Sequence, residues 1–253
     1  LLRLADDDHL LVLSLHHLVA DGWSIGVLLR EIELLYPPLA RGAAPSLPPL
    51  PARYADFCAA QARFREPGAG ALDLAFWREA LDGAPRTLAL PADRPAPAQR
   101  SHAGDSEALL LDAATSEALK ALGSRASATP FMTRLTLFGL TLRDLTGEAD
   151  LVIGSASSGR VDGDHEGLIG CFFNKVPLRL RLDPGLSFSA CLERVREATL
   201  RAFEHDLLPF PLLAEALDPG ARGRHPLFQV AYAAQEESWD ALSLPGLRGE
   251  PVF

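Results

Sequence analysis

The sequence predicts a mixed α/β fold of the α+β kind, and three observations carry that prediction. Short apolar runs suited to buried strands occur at residues 10–15, 151–153 and 171–182. Between them lie longer segments with apolar residues at helical spacing. The two kinds alternate without strict strand–helix–strand regularity, which favours a mixed architecture over a doubly wound parallel sheet. The size is adequate for one large or two modest packed units, at 253 residues with 48% apolar and 23% charged side chains.

In chain order, Asp6, Asp7 and Asp8 form a solvated turn before the apolar run 10–15, which reads as a strand buried on both faces. Ser24 is the expected N-cap of the next helix. Its stripe is Ile25, Leu28, Leu29, Ile32, Leu35 and Tyr36, with Pro37 as the expected breaker. Residues 54–65 and 73–82 read as two helices, the second carrying Phe76 and Trp77. A proline-rich stretch at 90–97 is stiff and unsuited to a central strand, and a domain boundary is expected there. A strand at 107–111 and helices at 115–124 and 129–146 follow, the last ended by Gly147. After strand 151–153 comes a Gly/Ser/Asp-rich loop, 154–164, and then strand 171–182, whose later part alternates. Residues 187–204 form a helix with an inner face of Phe188, Cys191, Leu192, Val195, Ala198, Thr199 and Ala202. Residues 226–231 read as a last strand.

Composition excludes several function classes. With 24 basic against 33 acidic residues, the net charge of −9 argues against a nucleic-acid surface. Cys58, Cys171 and Cys191 lack metal or disulfide spacing, so a reducing, cytoplasmic setting is expected and no metal site. No stretch reaches the roughly 18 apolar residues of a membrane helix, and no signal peptide is evident. The only methionine is Met132, so Leu1 is not a translation start and the chain is expected to be part of a longer protein.

The residues suited to chemistry are His16, His17, Asp21 and Gly22, in the pattern HHxxxDG between a strand end and a helix start. Adjacent histidines leaving a strand point to opposite sides, so one of them faces any given cleft. Three readings stand open from the residues alone: a histidine as general base or hydrogen-bond partner with Asp21 fixing the backbone, a metal site, or packed core histidines. Gly22 would ease the turn into the helix.

His16-His-Leu-Val-Ala-Asp-Gly-Trp-Ser24 resembles the third core motif of condensation domains of nonribosomal peptide synthetases, and the resemblance continues in order. Tyr54-Ala-Asp-Phe57 is similar to the fourth motif, Ile169-Gly-Cys-Phe-Phe-Asn174 to the fifth, His205-Asp-Leu-Leu-Pro-Phe210 to the sixth, and Arg224-His-Pro-Leu-Phe-Gln229 to the seventh. The segment from Gly154 to Arg160 resembles a Gly-x-x-x-x-Gly-Arg element of the family. Lys175 departs from the commoner Thr after Asn174.

The resemblance implies two chloramphenicol-acetyltransferase-like lobes in a V. Residues 1–90 would hold the later part of an incomplete first lobe and 91–253 most of the second. Isolated, the piece is expected to be inactive and poorly soluble. The implied reaction is amide formation between a donor thioester and an acceptor aminoacyl amine. Both arrive on the 4′-phosphopantetheine arms of donor and acceptor peptidyl carrier proteins, beside an adenylation domain, with no cofactor bound directly. His17 is implied as base or positioner and His16 as structural, its ring turned into the lobe. Asp21 is implied as half of an ion pair, with Arg160 the first candidate partner and Arg179 the second. Trp23, Ser24 and Asn174 are candidates near the substrate tunnel, with core or turn roles as the alternatives. Cys171 reads as packing rather than as a nucleophile. An ester-forming HHxxxDG acyltransferase and a non-catalytic docking domain of the same fold remain the competing functions.

Overall fold

The computed structural model describes residues 1–94, 103–160, 163–220, 225–234, 242–250 and 252. Pro95 and Pro97 of the proline-rich stretch and Arg224 of the seventh motif lie outside these. The chain is mixed helix and sheet, and it falls into two compact units. One comprises Leu1–Arg63, Ser158–Phe173 and the described part of Gln235–Phe253; the other comprises Phe64–Ser157 and Asn174–Ala234. Contacts thus divide the chain at several points.

In the first unit, β1 (Leu2–Arg3) and β2 (His9–Leu10) form a small antiparallel hairpin around the aspartate-rich turn, where Arg3 pairs with Asp6. The expected strand over 10–15 stops at Leu10. Residues 11–16 form no regular element, and Leu11, Val12, Leu13 and Leu15 are all exposed. An apolar run becomes a strand only when a neighbour takes its backbone groups, and no described segment does so here.

Helix α1 (Gly22–Ala40) starts and ends differently from expectation. Asp21, not Ser24, is its N-cap, accepting from the Ser24 amide, and the helix runs through Pro37 and Pro38 to Ala40. Pro37 and Pro38 cannot donate to the Glu33 and Leu34 carbonyls, and the helix continues only two residues beyond them. Helix α2 (Tyr54–Ala62) leads into one 3-10 turn at Arg63–Arg65. Phe57, Leu168 and Phe172 make a small aromatic core, with Tyr54 edge-on to Phe172 at 5.1 Å.

The second unit is built on β3 (Asp150–Ser157), β4 (Asn174–Arg181) and β5 (Val230–Ala231), in the order β4-β3-β5. β3 and β4 are antiparallel from Asp150↔Arg181 to Ser157↔Asn174, whereas β5 runs parallel to β3. Val176, Leu178, Leu180 and Leu182 are at most 1% exposed, so alternation along β4 sets one face into the core. Against the sheet and one another pack α3 (Ala71–Ala80), α4 (Ala113–Arg125), α5 (Pro130–Thr146), α6 (Phe188–Phe203) and α7 (Phe210–Leu217). The inner face of α6 is Cys191, Leu192, Val195, Thr199 and Ala202, all buried. Thr129 caps α5, Gly147 closes it in the left-handed conformation, and Ser187 caps α6.

Four expectations differ here, one being the last strand, which is Val230–Ala231 and not 226–231. Residues 107–111 form no strand, and Leu109 and Leu110 are 87% and 96% exposed; Glu, Ala and Leu are weak strand formers without a partner. The strand at 151–153 extends to Ser157, consuming the start of the expected loop. The strand expected from Cys171 begins at Asn174, because the Cys171 carbonyl and the Phe172 amide are taken by the Tyr54 hydroxyl and the Asp21 carboxylate. No helix among the described residues is long and apolar enough to cross a membrane.

Candidate functional site

The first unit brings two distant stretches together, the turn into α1 and residues 158–173. Asp21 is their junction. Its Oδ1 accepts from the Ser24 amide at 2.9 Å, from the Ser24 hydroxyl at 2.7 Å and from Arg160 Nη2 at 3.0 Å, and its Oδ2 accepts from the Phe172 amide at 3.0 Å. Burial pushes the Asp21 carboxyl up, but the bonds from Ser24, Phe172 and Arg160 more than offset this and hold it below the usual aspartate range. Ser24 extends the network, its Oγ accepting from the Gly170 amide at 3.0 Å while the Gly170 carbonyl accepts from the Asp21 amide at 3.1 Å.

Arg160 is enclosed, with 2% of its side chain exposed. Its guanidinium lies 4.0 Å from the Phe172 ring centroid and donates to the carbonyls of His165 and Leu168 as well as to Asp21. Its Nε has no hydrogen-bond partner among the described residues. Gly159 makes this approach feasible: its φ is +64°, and a side chain there would overlap the Phe172 carbonyl oxygen. Of the two candidate partners for Asp21, the structure therefore places Arg160 on it. Arg179 instead pairs with Asp150 at 2.7 Å and donates to the carbonyls of Ala80 and Asp82.

The histidine end of the motif is open. His17 is exposed; its Nδ1 lies 3.7 Å from Cys171 Sγ, and its ring sits 5.0 Å from the Phe173 ring. His16 is also exposed, and its Nδ1 accepts from the Leu18 amide at 3.1 Å, so it is not turned inward as expected. With residues 11–16 uncovered, no interior forms around that ring. Gly22 is the first residue of α1 and lies outside the positive-φ positions, so it does not serve as a left-handed turn. Trp23 donates from Nε1 to the Glu166 carbonyl at 2.8 Å and keeps 38% exposure. Burial, then the charge of Asp21, pushes the Cys171 thiol up. Burial and Cys58 raise Tyr54 to about 12, and its hydroxyl donates to the Cys171 carbonyl at 3.0 Å.

Asn174 belongs to the second unit, where both ends of its amide are occupied. Nδ2 donates to the carbonyls of Asp206 and Leu208 at 2.7 and 2.8 Å, and Oδ1 accepts from the Lys175 and Phe210 amides. It clamps the entry to α7 and has no amide hydrogen left over for a ligand. Sequence reasoning missed the companions of this clamp. Ser157 Oγ donates to Asp206, whose carboxyl is pushed up chiefly by burial, and His205 pairs with Asp73 at 2.8 Å while stacking 4.0 Å from Phe76. The adjacent His205 and Asp206 of the sixth motif were the available signal. Among the described residues, no three His, Cys, Asp or Glu side chains converge as a metal site.

Comparison with known proteins gives a consistent answer. A family model described as Condensation domain matches residues 1–244. The phosphinothricin tripeptide synthetase of Streptomyces viridochromogenes is 42% identical over 251 residues, covering 99% of this chain and 23% of that protein. The X-domain from teicoplanin biosynthesis, solved in complex with OxyB, aligns with a TM-score of 0.79 at 31% identity, over 94% of this chain and 53% of that one. A four-domain nonribosomal peptide synthetase bound to AMP and glycine aligns with a TM-score of 0.77 at 25% identity, over 88% of this chain and 17% of that one.

Proposed function

The chain belongs to the condensation-domain family of nonribosomal peptide synthetases, and from that membership we propose that it takes part in amide-bond formation between two carrier-bound thioesters. The amine of the acceptor aminoacyl group attacks the donor thioester carbonyl. The carbon–nitrogen bond forms, the carbon–sulfur bond breaks, and the amine's proton is passed on so that the departing pantetheine leaves as a thiol. The thioester is already activated, so the site's contribution is near-attack geometry and management of that proton. His17 is the residue for the proton, as base or as positioner. Asp21 and Arg160 hold the backbone that presents it.

The single observation that carries this reading is the intact HHxxxDG segment, with His17 exposed at one end and Asp21 locked to Arg160 at the other. Donor and acceptor peptidyl carrier proteins with 4′-phosphopantetheine arms and a neighbouring adenylation domain are the proposed partners, and the cytoplasm the proposed setting. We assign residues 1–90 to the first lobe of the family fold and 91–253 to the second. A docking-only role draws on the X-domain's structure in complex with OxyB. The presence of both histidines here favours catalysis over that role.

The test is a condensation assay on the full synthetase with donor- and acceptor-loaded carriers, reading dipeptidyl product by mass spectrometry. His17→Ala is expected to lower the rate about 100-fold or more. An unchanged rate removes the role of His17. Replacing the acceptor amine by a hydroxyl separates amide from ester formation, and a wild-type synthetase that forms neither product favours docking.

A further inference from the structure

An exposed imidazole rotates freely about its Cβ–Cγ bond unless neighbours fix it, and a proton acceptor is useful only when the correct nitrogen faces the reacting amine. His17 has two such neighbours, and both come from the 158–173 side of the first unit. Cys171 Sγ lies 3.7 Å from Nδ1, within reach of a weak sulfur hydrogen bond, and the Phe173 ring packs at 5.0 Å with a 50° tilt.

Cys171 is itself a fixed point. On one side the Gly170 amide is bonded to Ser24 Oγ, and on the other the Phe172 amide is bonded to Asp21 Oδ2. Between them, the Cys171 carbonyl accepts from the Tyr54 hydroxyl at 3.0 Å. A methyl group on Gly170 would overlap the Tyr54 ring, so the tyrosine lies directly against this segment. The rigid Asp21–Arg160 cluster therefore ends in a sulfur aimed at the imidazole.

We propose that Cys171 is a positioning residue for His17: its sulfur accepts from Nδ1–H, holds the ring plane together with Phe173, and so leaves Nε2 as the unprotonated nitrogen offered to the acceptor amine. This rests on the condensation reading above. Burial and the Asp21 charge keep the thiol protonated, in keeping with a neutral, directional contact and not with a nucleophile. The sequence shows the thiol but not its partner, which lies 154 positions away.

The experiment has a spectroscopic arm independent of turnover. In the uniformly nitrogen-15-labelled chain, long-range proton–nitrogen correlation reads His17 Nδ1 and Nε2 directly. Cys171→Ala is expected to move the Nδ1 resonance toward that of a solvent-exposed imidazole, and Cys171→Ser to restore it. The Ser24 amide, bonded to Asp21, should stay in place and report an intact cluster. If the alanine variant does not fold, Cys171→Val, with similar bulk and no acceptor for Nδ1–H, takes its place. In the full synthetase the same variant should lower kcat about threefold to tenfold with KM unchanged, and Cys171→Ser should recover it. A His17 spectrum unaltered by removal of the thiol, with the Ser24 amide in place, overturns the proposal. A shifted Nδ1 in a synthetase whose wild type forms no amide would support the contact and overturn the condensation reading instead.

Discussion

Arg160 and Arg179 each hold an aspartate at hydrogen-bond distance, 3.0 Å to Asp21 and 2.7 Å to Asp150, yet their surroundings make them different devices. Arg160 and Asp21 are 2% and 6% exposed, and both ends of the pair are tied to backbone groups of the 158–173 stretch. Arg179 and Asp150 are 10% and 38% exposed, on neighbouring strands of a sheet already fixed by its own ladder and a leucine-rich face. In the first unit the ion pair organises a segment with few apolar contacts. In the second the pair decorates a core that would form without it. The lesson is that charge becomes structural where the hydrophobic core is small.

That contrast is broken most severely at Arg160. Replacing it by methionine leaves the Asp21 carboxylate buried without its cation, which costs about 3–5 kcal/mol. Urea unfolding should show this as loss of the cooperative transition of the first unit, with the second unit's transition retained. A variant that unfolds like the parent would show that the pair organises nothing. Gly159→Ala should come next, because it combines a strained positive φ with overlap against the Phe172 carbonyl, together about 2–4 kcal/mol. Arg179→Met should cost less, about 1–2 kcal/mol, because Asp150 can turn toward water and the β3–β4 ladder remains. If Arg179→Met proved as damaging as Arg160→Met, core size would not be what separates the two pairs.

The same contrast has a pH form, carried by Asp21 and by Asp206 of the second unit. The Asp21 carboxyl titrates below the ordinary aspartate value of about 3.9 in the folded chain. Its contribution is therefore fully present above that value and is lost as pH falls through the lowered folded one. Asp206, pushed up chiefly by burial, behaves oppositely: the folded state favours its protonated form, and that contribution is lost as pH rises through the raised folded value. Stability measured at stepped pH should show the gap between parent and Asp21→Asn narrowing in acid. The parent should instead lose ground to Asp206→Asn as pH rises. Parallel curves for either variant would remove that carboxylate from the account.

What was legible in the sequence follows the range of the interactions. Thr129, Gly147 and Ser187 mark helix ends because capping acts over three or four residues, and the inner face of α6 is readable for the same reason. The apolar runs 11–15 and 107–111 misled, because strands depend on a neighbour that no local pattern specifies. At the site, Asp21 and Arg160 were legible as a pair only through family resemblance, being 139 positions apart. Asn174 reads equally as an amide near the tunnel or as a turn residue, because nothing local shows that residues 206–210 occupy both its ends. The capping role of Asp21 was missed because Ser24 matched the cap pattern equally well, although the serine amide is in fact the group being capped.

The smallest expected effect on stability lies in the same seven-residue motif as Asp21, the partner of Arg160. His17 is exposed, and its contacts are one weak sulfur interaction and one tilted ring, so His17→Ala should change unfolding free energy by no more than about 0.5 kcal/mol. The same substitution is expected to remove most of the condensation rate. Asp21→Ala should do the reverse in order of cause, losing activity because the segment that presents His17 loses its anchor. Unfolding curves and product rates collected on the two variants separate these roles. If His17→Ala destabilised the chain as much as Asp21→Ala, the histidine would be part of the scaffold, and the division between a buried anchoring end and an exposed reacting end would fail.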